Sequence, residues 1–143
     1  MAAQLHTEGR QFMLEVCFSE EQSVPANFYV GLCTDTSIAE NAALSALGEI
    51  TSTDYARHAA PSASSDFTSA ATGTNDRKIT LEDATFTAST SGVTWTKVES
   101  WFLATSSDDS GKLIASGPLN SGSGWTLSTP QTLTFDIEMT FPG

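Results

Sequence analysis

The sequence predicts an all-β fold, an antiparallel β-sandwich of jelly-roll type with one short helix and an N-terminal arm. Ser and Thr supply 39 of the 143 residues while Lys and Arg supply six, a balance that favours short strands and polar turns over surface helices. About seven or eight extended segments follow one another at the spacing of a sandwich. The last, TLTFDIEMTF at residues 132–141, alternates between apolar and polar side chains, which indicates a strand with one buried face.

The central element is a predicted hairpin between residues 92 and 119. β-branched and aromatic residues run from Val93 to Thr105, the turn formers SSDDSG follow, and Lys112 to Ser116 resumes an extended pattern. Both faces of the first arm of the hairpin carry apolar side chains. We therefore expect the hairpin at the centre of a sheet.

The chain before this hairpin begins with a polar segment, residues 1–10, which we expect to be an arm that a partner orders. The alternating residues 11–18 and the apolar run 28–33 predict the first two strands. One helix is expected within residues 34–50, where a Thr-Ser pair offers an N-cap and a glycine offers a stop.

Between that helix and the hairpin, residues 49–61 are expected to form a short edge strand. Residues 62–76 are poor in large apolar side chains and predict a long surface loop. Residues 78–88 again predict a strand, with a bulge where two adjacent acidic residues shift the alternation. After the hairpin, residues 125–127 predict one further short strand before the last one.

The length is that of one domain, and we assign residues 11–143 to a single β-sandwich. A net charge of −11 and a pI near 4.2 argue against nucleic acid and anionic membranes as partners. No apolar segment has the length of a signal peptide core or a membrane span, so we expect a protein made in a cytosol.

Candidate catalytic groups are few. The two histidines, His6 and His58, are not accompanied by a GxSxG, HExxH, P-loop or GxGxxG sequence, so we expect no enzymatic activity and no cofactor. The acidic residues in loops lack the spacing of a Ca²⁺ site, so no metal is expected. Cys17 and Cys33 lie in apolar runs and are expected to be buried free thiols, with a disulfide as the alternative.

The three tryptophans, Trp95, Trp101 and Trp125, are the candidate ligand contacts. Two exposed tryptophans on one strand face would stack on sugar rings. Trp95 and Trp101 are six residues apart and share a face of a regular strand, but a core or a subunit interface uses aromatic residues in the same way. Both interpretations stay open at this point.

Several short motifs resemble those of a family of small virion proteins of tailed bacteriophages, which carries a YVAL strand, an E…GYAR segment, an F…A…W stretch and a DxxxGxLL turn. The corresponding residues here are Tyr29 to Leu32, Glu49 with Tyr55 to Arg57, Phe86 with Trp95, and Ser110 to Leu113. The resemblance covers most of residues 28–141. Asp54 stands where the family often has a glycine before the tyrosine.

The resemblance implies a structural role in the virion. The first expectation is a capsid decoration (cement) protein, made in the host cytoplasm, that forms homotrimers on the capsid surface and ties major capsid proteins together. The alternative is a tail- or fibre-associated receptor-binding or carbohydrate-binding module, in which Trp95, Trp101 or Trp125 stacks on the ligand.

The expected partner contacts lie in the arm and in the long loop. Leu5, His6 and Arg10 are the contacts expected from the arm, and Phe67 is the contact expected from the loop. For Arg57, one of only six basic residues, we expect a structural ion pair with a carboxylate such as Glu49.

Overall fold

The computed structural model describes residues 3–73 and 75–141, and the strands of this part of the chain confirm the all-β prediction. They are β1 (Gln4–Leu5), β2 (Asn27–Cys33), β3 (His58–Pro61), β4 (Phe67–Ala71), β5 (Arg77–Thr87), β6 (Thr94–Val98), β7 (Ser100–Ala104), β8 (Leu113–Pro118), β9 (Trp125–Ser128) and β10 (Thr132–Phe141). Helix α1 (Thr7–Leu14) continues into a π-helical turn at Glu15–Ser19, and 3-10 turns lie at Leu44–Ala46 and Asn120–Gly122. No helix among the described residues is long and apolar enough to cross a membrane.

The strands form three antiparallel sheets. One has the order β1-β8-β7-β2-β3, the second has the order β10-β5-β4, and β6 pairs with β9 in the third. β7 and β8 form the predicted central hairpin, and β7 lies between β8 and β2 with all five of its residues buried. The first half of the predicted arm is a separate strand, β6, which pairs with β9 in another sheet. Antiparallel pairing is therefore confirmed, and the jelly-roll connectivity stays a prediction.

The main core joins side chains of all three sheets. On β10, Leu133, Ile137 and Met139 are buried while the polar residues between them stay exposed or nearly so, which confirms the alternation seen in the sequence. Burying each such side chain stabilises the fold by about 1.5–3 kcal/mol before the entropy cost is counted. The opposite face of the five-stranded sheet is covered by the segment after β2, whose Ile38 and Leu44 pack in a second cluster.

The N-terminal segment is part of the fold. Residues 4–5 pair with β8, Gln4 opposite Ser116 and Leu5 opposite Ala115, and Ala3 packs against the core. The prediction of an arm over residues 1–10 is therefore wrong for residues 3–10, because this segment completes the edge of a sheet. Residues 1–2 lie outside the described residues.

Residues 11–18 are helical, so the predicted first strand is wrong. Phe12 and Val16 both contact the core, and four residues separate them, the distance of one helical turn. Leu14 and Phe18, which a strand would have placed on the same face as Phe12, are exposed. The alternating apolar pattern therefore belongs to a helix with one buried face.

Two further predictions are corrected between β2 and β5. The helix expected in residues 34–50 is reduced to the 3-10 turn at Leu44–Ala46, although its apolar residues still cover the sheet. The expected loop at 62–76 contains β4, a strand of small residues that pairs with β5. The strand at 78–88 and its bulge are confirmed, because the pairing with β10 shifts register there and Asp83 has a φ of 57°.

Candidate functional site

An apolar groove of about 300 Å³ opens between α1 on one side and β4, β5 and β10 on the other. The five-stranded sheet forms its floor. Its apolar lining consists of Leu5, Phe12, Met13, Val24, Phe28, Ala63, Phe67, Ile79, Leu103, Ile114, Met139 and Phe141. Such a concave and almost purely apolar surface is suited to an apolar side chain or segment of another molecule.

The wall made by α1 is fixed against β8. The backbone N–H of His6 donates to the Ile114 carbonyl at 2.9 Å, and the Leu113 N–H donates to Glu8 Oε2 at 3.1 Å. Gly9 permits this approach, since a Cβ at Gly9 would lie 2.3 Å from the Ile114 carbonyl oxygen. The helix therefore rests directly on the backbone of the sheet.

Three phenylalanines form the inner part of the groove. Phe28 on β2 contacts Phe12 edge-on with ring centroids 6.4 Å apart, and it contacts Phe67 on β4 at 5.6 Å. Edge-to-face packing of this kind adds about 0.5–1.5 kcal/mol to the burial of each pair. The chain of rings connects the two walls of the groove.

Three large apolar side chains on and after the helical segment point to solvent. Leu14 is 58% exposed, Phe18 is 82% exposed and Val24 is 57% exposed. Val24 lines the groove, and its exposed part extends the apolar surface there. Leu14 and Phe18 are not among the lining residues, and they lie away from the face of the helical segment that carries Phe12 and Val16.

The four contact residues expected from the sequence fall in different places. Leu5 and Phe67 line the groove and are brought together by the fold. Arg10 is at the surface and forms an ion pair with Glu40. His6 is fully buried and cannot reach a partner. Sequence reasoning missed α1, although Leu14 and Phe18 stand four residues apart, as on one side of a helix.

His6 joins α1 to the sheet and to the segment after β2. Its Nδ1 lies 3.0 Å from the Glu40 carbonyl oxygen and its Nε2 lies 2.7 Å from Ser116 Oγ. Because a carbonyl only accepts, the proton is on Nδ1, and Nε2 accepts from the Ser116 hydroxyl. Burial lowers the pKa of His6 and outweighs the opposite effect of the backbone carbonyls of Glu40 and Ala39, so the neutral ring is favoured.

Two of the three tryptophan side chains are buried, and the third is accessible to solvent. Trp95 on β6 is 3% exposed and Trp101 on β7 is 6% exposed, and both belong to the main core. Because β6 and β7 belong to different sheets, the prediction that the two residues share a face of one strand is wrong. Packing accounts for these two residues. Trp125 on β9 is 44% exposed and lies beside a separate hollow of about 300 Å³, which includes Gln131 and Thr132.

Asp54 holds the buried Trp95 in place. Its Oδ1 accepts from Trp95 Nε1 at 2.9 Å and from the Ser52 hydroxyl, and its Oδ2 accepts from the N–H groups of Ser89 and Thr90 at 2.8 and 2.9 Å. These hydrogen bonds, the one from Ser52 first, hold the pKa of Asp54 well below its usual range. Asp54 therefore anchors Trp95 from the position where the virion protein family described above often has glycine.

The geometry defines an antiparallel β protein with an almost purely apolar groove between α1 and the three-stranded sheet. Among the described residues, no three His, Cys, Asp or Glu side chains are arranged to hold a metal ion. Residues 6–138 match the family described as podophage GP4 fiber I protein gp80, and the chain belongs to this family. It is a structural protein of a bacteriophage virion, which confirms the resemblance at that level. No curated protein matches the sequence.

Proposed function

We propose that the protein is a fibre-associated structural component of a phage virion that attaches to a neighbouring protein through the apolar groove. The observation that carries the proposal is the almost purely apolar lining of this groove, in which Val24 stays 57% exposed. The fibre in the family description supports a place in the tail over a place on the head.

The energy available at this surface is sufficient for specific attachment. Full burial of one leucine or phenylalanine side chain contributes about 1.5–3 kcal/mol, and aromatic anchors in pockets commonly dominate protein interfaces. The net charge of −11 keeps free copies apart and soluble before assembly. The proposed role requires no catalytic group, cofactor, nucleic acid or membrane.

Capsid decoration receives less support than the fibre role. Its expected contacts included Leu5, His6 and Arg10 in a free arm, and residues 3–10 are instead folded against β8. Of these three residues, Leu5 lines the groove and His6 is fully buried. A capsid contact through a free arm therefore has no support, and of the predicted contacts only Leu5 and Phe67 lie in the groove.

Location on the virion tests the proposal. Particles of the phage that encodes the chain are labelled with gold-coupled antibody against the recombinant protein and imaged by electron microscopy. Label at the tail fibres supports the proposal, and label spread over the capsid supports decoration instead. If the particles contain the protein in a denaturing gel but carry no label, the same particles are imaged by cryo-electron microscopy. Density for the protein over the head would then overturn the fibre role.

Carbohydrate binding at Trp125 is a second candidate function. The exposed indole face and the neighbouring Gln131 and Thr132 combine a stacking surface with polar groups, which is the chemistry that sugar rings require. A glycan array probed with the labelled protein tests this function. Binding that is lost in Trp125→Ala and kept in Phe18→Ser would support it, and an array without signal would remove it.

A further inference from the structure

We propose that an extended segment of a neighbouring virion protein adds to the open edge of β10 and becomes a further strand of the three-stranded sheet. The inference rests on the proposed function for attachment at the groove, and it adds the form in which the neighbour binds. β10 is the last strand of its sheet, and β5 is its one partner strand among the described residues. The other edge of β10 is therefore left without a strand.

The open edge is long and unbroken. β10 has ten residues, which at about 3.4 Å per residue span roughly 34 Å. The extra residue of the bulge belongs to β5, because β10 has only Asp136 where β5 has Glu82 and Asp83. The other edge strands of the two larger sheets, β1, β3 and β4, have two, four and five residues. β10 is therefore the edge best suited to an added strand.

The hydrogen bonds of the sheet show which backbone groups of β10 face outward. In an antiparallel pair, residues that bond to the neighbouring strand alternate with residues whose N–H and C=O point away from it. The Ala88 N–H donates to the Gln131 carbonyl at 3.0 Å just before β10 begins. Odd-numbered residues at the start of β10 therefore bond to β5, and even-numbered residues point away.

The same alternation continues beyond the bulge. The Thr72 N–H donates to the Asp76 carbonyl at 3.4 Å, so even-numbered residues of β5 bond to β4 there, and Ile79 is left to bond to its partner on β10, Met139. The outward N–H and C=O groups of β10 belong to Thr132, Thr134, Asp136, Glu138 and Thr140. In the described part of the chain, these five residues make no backbone hydrogen bond to another loop or strand. Such an edge pairs readily with a strand of another chain.

Two recesses lie at the ends of β10. Residues 132–134 line the hollow beside Trp125, and Met139 and Phe141 line the apolar groove. An added strand follows the pleat of β10, so every second side chain points to the buried side of the sheet, as Leu133 and Met139 do. Apolar side chains at these positions would extend the core towards the groove.

The exposed face of the sheet beside this edge is acidic. Asp136 and Glu138 are exposed on β10, and Glu82 and Asp83 are exposed at the bulge of β5. Against these four carboxylates stands the ammonium group of Lys78, which lies 2.6 Å from Glu138 Oε1. Lysine or arginine on the exposed face of the added strand is therefore favoured.

The same charges disfavour a second copy of β10 as the added strand. A two-fold antiparallel pairing centred on Asp136 places Asp136 opposite its own copy, and a centre at Ile137 places Asp136 opposite Glu138. Like charges directly opposite destabilise a pair of strands. The added strand therefore belongs to a different protein, and its apolar residues alternate with basic or hydroxyl residues.

Amide hydrogen exchange tests whether the edge is open and becomes covered. In the recombinant full chain, NMR should show fast exchange for the five outward amides of β10 and slow exchange for Leu133, Ile137 and Met139. In purified virions, mass spectrometry should show about five fewer exchanged amides in residues 132–141 than in the free chain. Protection of the outward amides in the free chain means that this chain or a second copy covers the edge, which overturns the inference. Equal exchange in virions and in the free chain also overturns it.

Proline substitutions in the mutant phage test the edge itself. Thr134→Pro removes an outward N–H, which an edge strand tolerates, so we expect a folded protein that is lost from the fibres. Phe135→Pro is the matched control for the hydrogen-bonding pattern, because it removes an N–H that bonds to β5 and should lower the melting temperature far more. Equal melting temperatures for the two variants would contradict the assigned outward groups.

A charge reversal keeps the inference testable if Thr134→Pro does not fold. Glu138→Lys should repel a basic strand and lower the amount of the protein in fibres. Glu21→Lys, in an exposed segment outside the sheet, is the control with the same change in net charge. Equal amounts of both variants in fibres would overturn the inference.

The groove variant Val24→Asp separates this inference from the proposed function. If Thr134→Pro assembles in fibres and Val24→Asp does not, the groove binds its neighbour without an added strand, and only this inference fails. If only Thr134→Pro is lost, the added strand is supported and attachment through the groove fails. If both variants assemble like the parent, both proposals fail.

Discussion

Arg57 and Glu49 form a two-point ion pair, with Nε 2.8 Å from Oε1 and Nη2 2.6 Å from Oε2. The Arg57 side chain is only 4% exposed, and its guanidinium lies 5.0 Å from the centre of the Phe102 ring. Nη2 also reaches Asp109 Oδ1 at 2.7 Å in the turn between β7 and β8. The sequence prediction of an Arg57–Glu49 pair is confirmed, and the pair ties this turn to the segment that precedes β3.

Replacement of Arg57 by alanine should destabilise the fold strongly. The change leaves Glu49 without its cation in a partly buried position, and removal of one partner from a buried pair typically costs about 3–5 kcal/mol. Urea denaturation of Arg57→Ala against the parent measures the loss. Arg10→Ala is the control, because its pair with Glu40 has both side chains about half exposed and should contribute less than about 1 kcal/mol. Equal losses in the two variants would contradict this account.

His6 should make stability depend on pH below neutrality. Its pKa in the folded protein is lowered from the ordinary value of about 6.5. Above that value the ring is neutral in both states, and the full stability is present. As the pH falls below it, the unfolded chain binds a proton that the folded chain does not, so the free energy of unfolding decreases until the folded pKa is reached.

Urea denaturation at pH 7.5, 6.5 and 5.5 checks this dependence. His6→Gln should be less stable than the parent at pH 7.5 and should lose less stability between pH 7.5 and 5.5. Ser116→Ala is the matched control, because it removes one hydrogen bond of the ring and retains the titrating group. If His6→Gln shows the same decrease with pH as the parent, the burial of a neutral His6 is not the cause.

The strands predicted correctly are those whose own residues show a strand pattern. Apolar and polar residues alternate strictly along β10, and β5 has its bulge at two adjacent acidic residues. Each strand can therefore be predicted without knowledge of the strands beside it. β4 could not be predicted in that way. It is an edge strand of mostly small and polar residues, and the hydrogen bonds to β5 that form it depend on the rest of the sheet.

The groove was only partly predictable for a related reason. Leu5 and Phe67 were named from the sequence, but their meeting depends on β1 pairing with β8 and on β4 pairing with β5. The helix that forms one wall was missed because an alternating apolar pattern also contains apolar residues four positions apart, which is the spacing of a helix. The contacts that place the helix on the sheet, such as the close approach of Gly9 to Ile114, join residues more than 100 positions apart, so a local pattern does not show them.

The two cysteines should differ in reactivity by their position. Both are free thiols, so the alternative of a disulfide between them is wrong. Cys33 is buried as expected, whereas Cys17 is exposed on the π-helical turn. Burial raises the pKa of the Cys33 thiol to about 12, and the thiolate is the reactive form. Ellman's reagent should therefore titrate one thiol in the native protein and two in urea. A native titration that persists in Cys17→Ser would contradict the assignment.

Replacement of Gly9 by alanine should displace α1 and open the groove. Alanine is the better helix former by about 1 kcal/mol. Its Cβ would nevertheless lie 2.3 Å from the Ile114 carbonyl oxygen and 2.7 Å from the Ile114 Cα, both backbone atoms that a rotamer change cannot move. Overpacking of this kind costs about 1–3 kcal/mol, so we expect a net loss of stability in urea denaturation.

The matched control for Gly9→Ala is Gln11→Ala, on the exposed side of the same helix, which should change stability by less than about 0.5 kcal/mol. Because Phe12 and Met13 line the groove and move with the helix, Gly9→Ala should also change the shape of the groove. A variant as stable as the parent would show that α1 can shift outward at no cost. The backbone contact between α1 and β8 would then not be what fixes the wall of the groove.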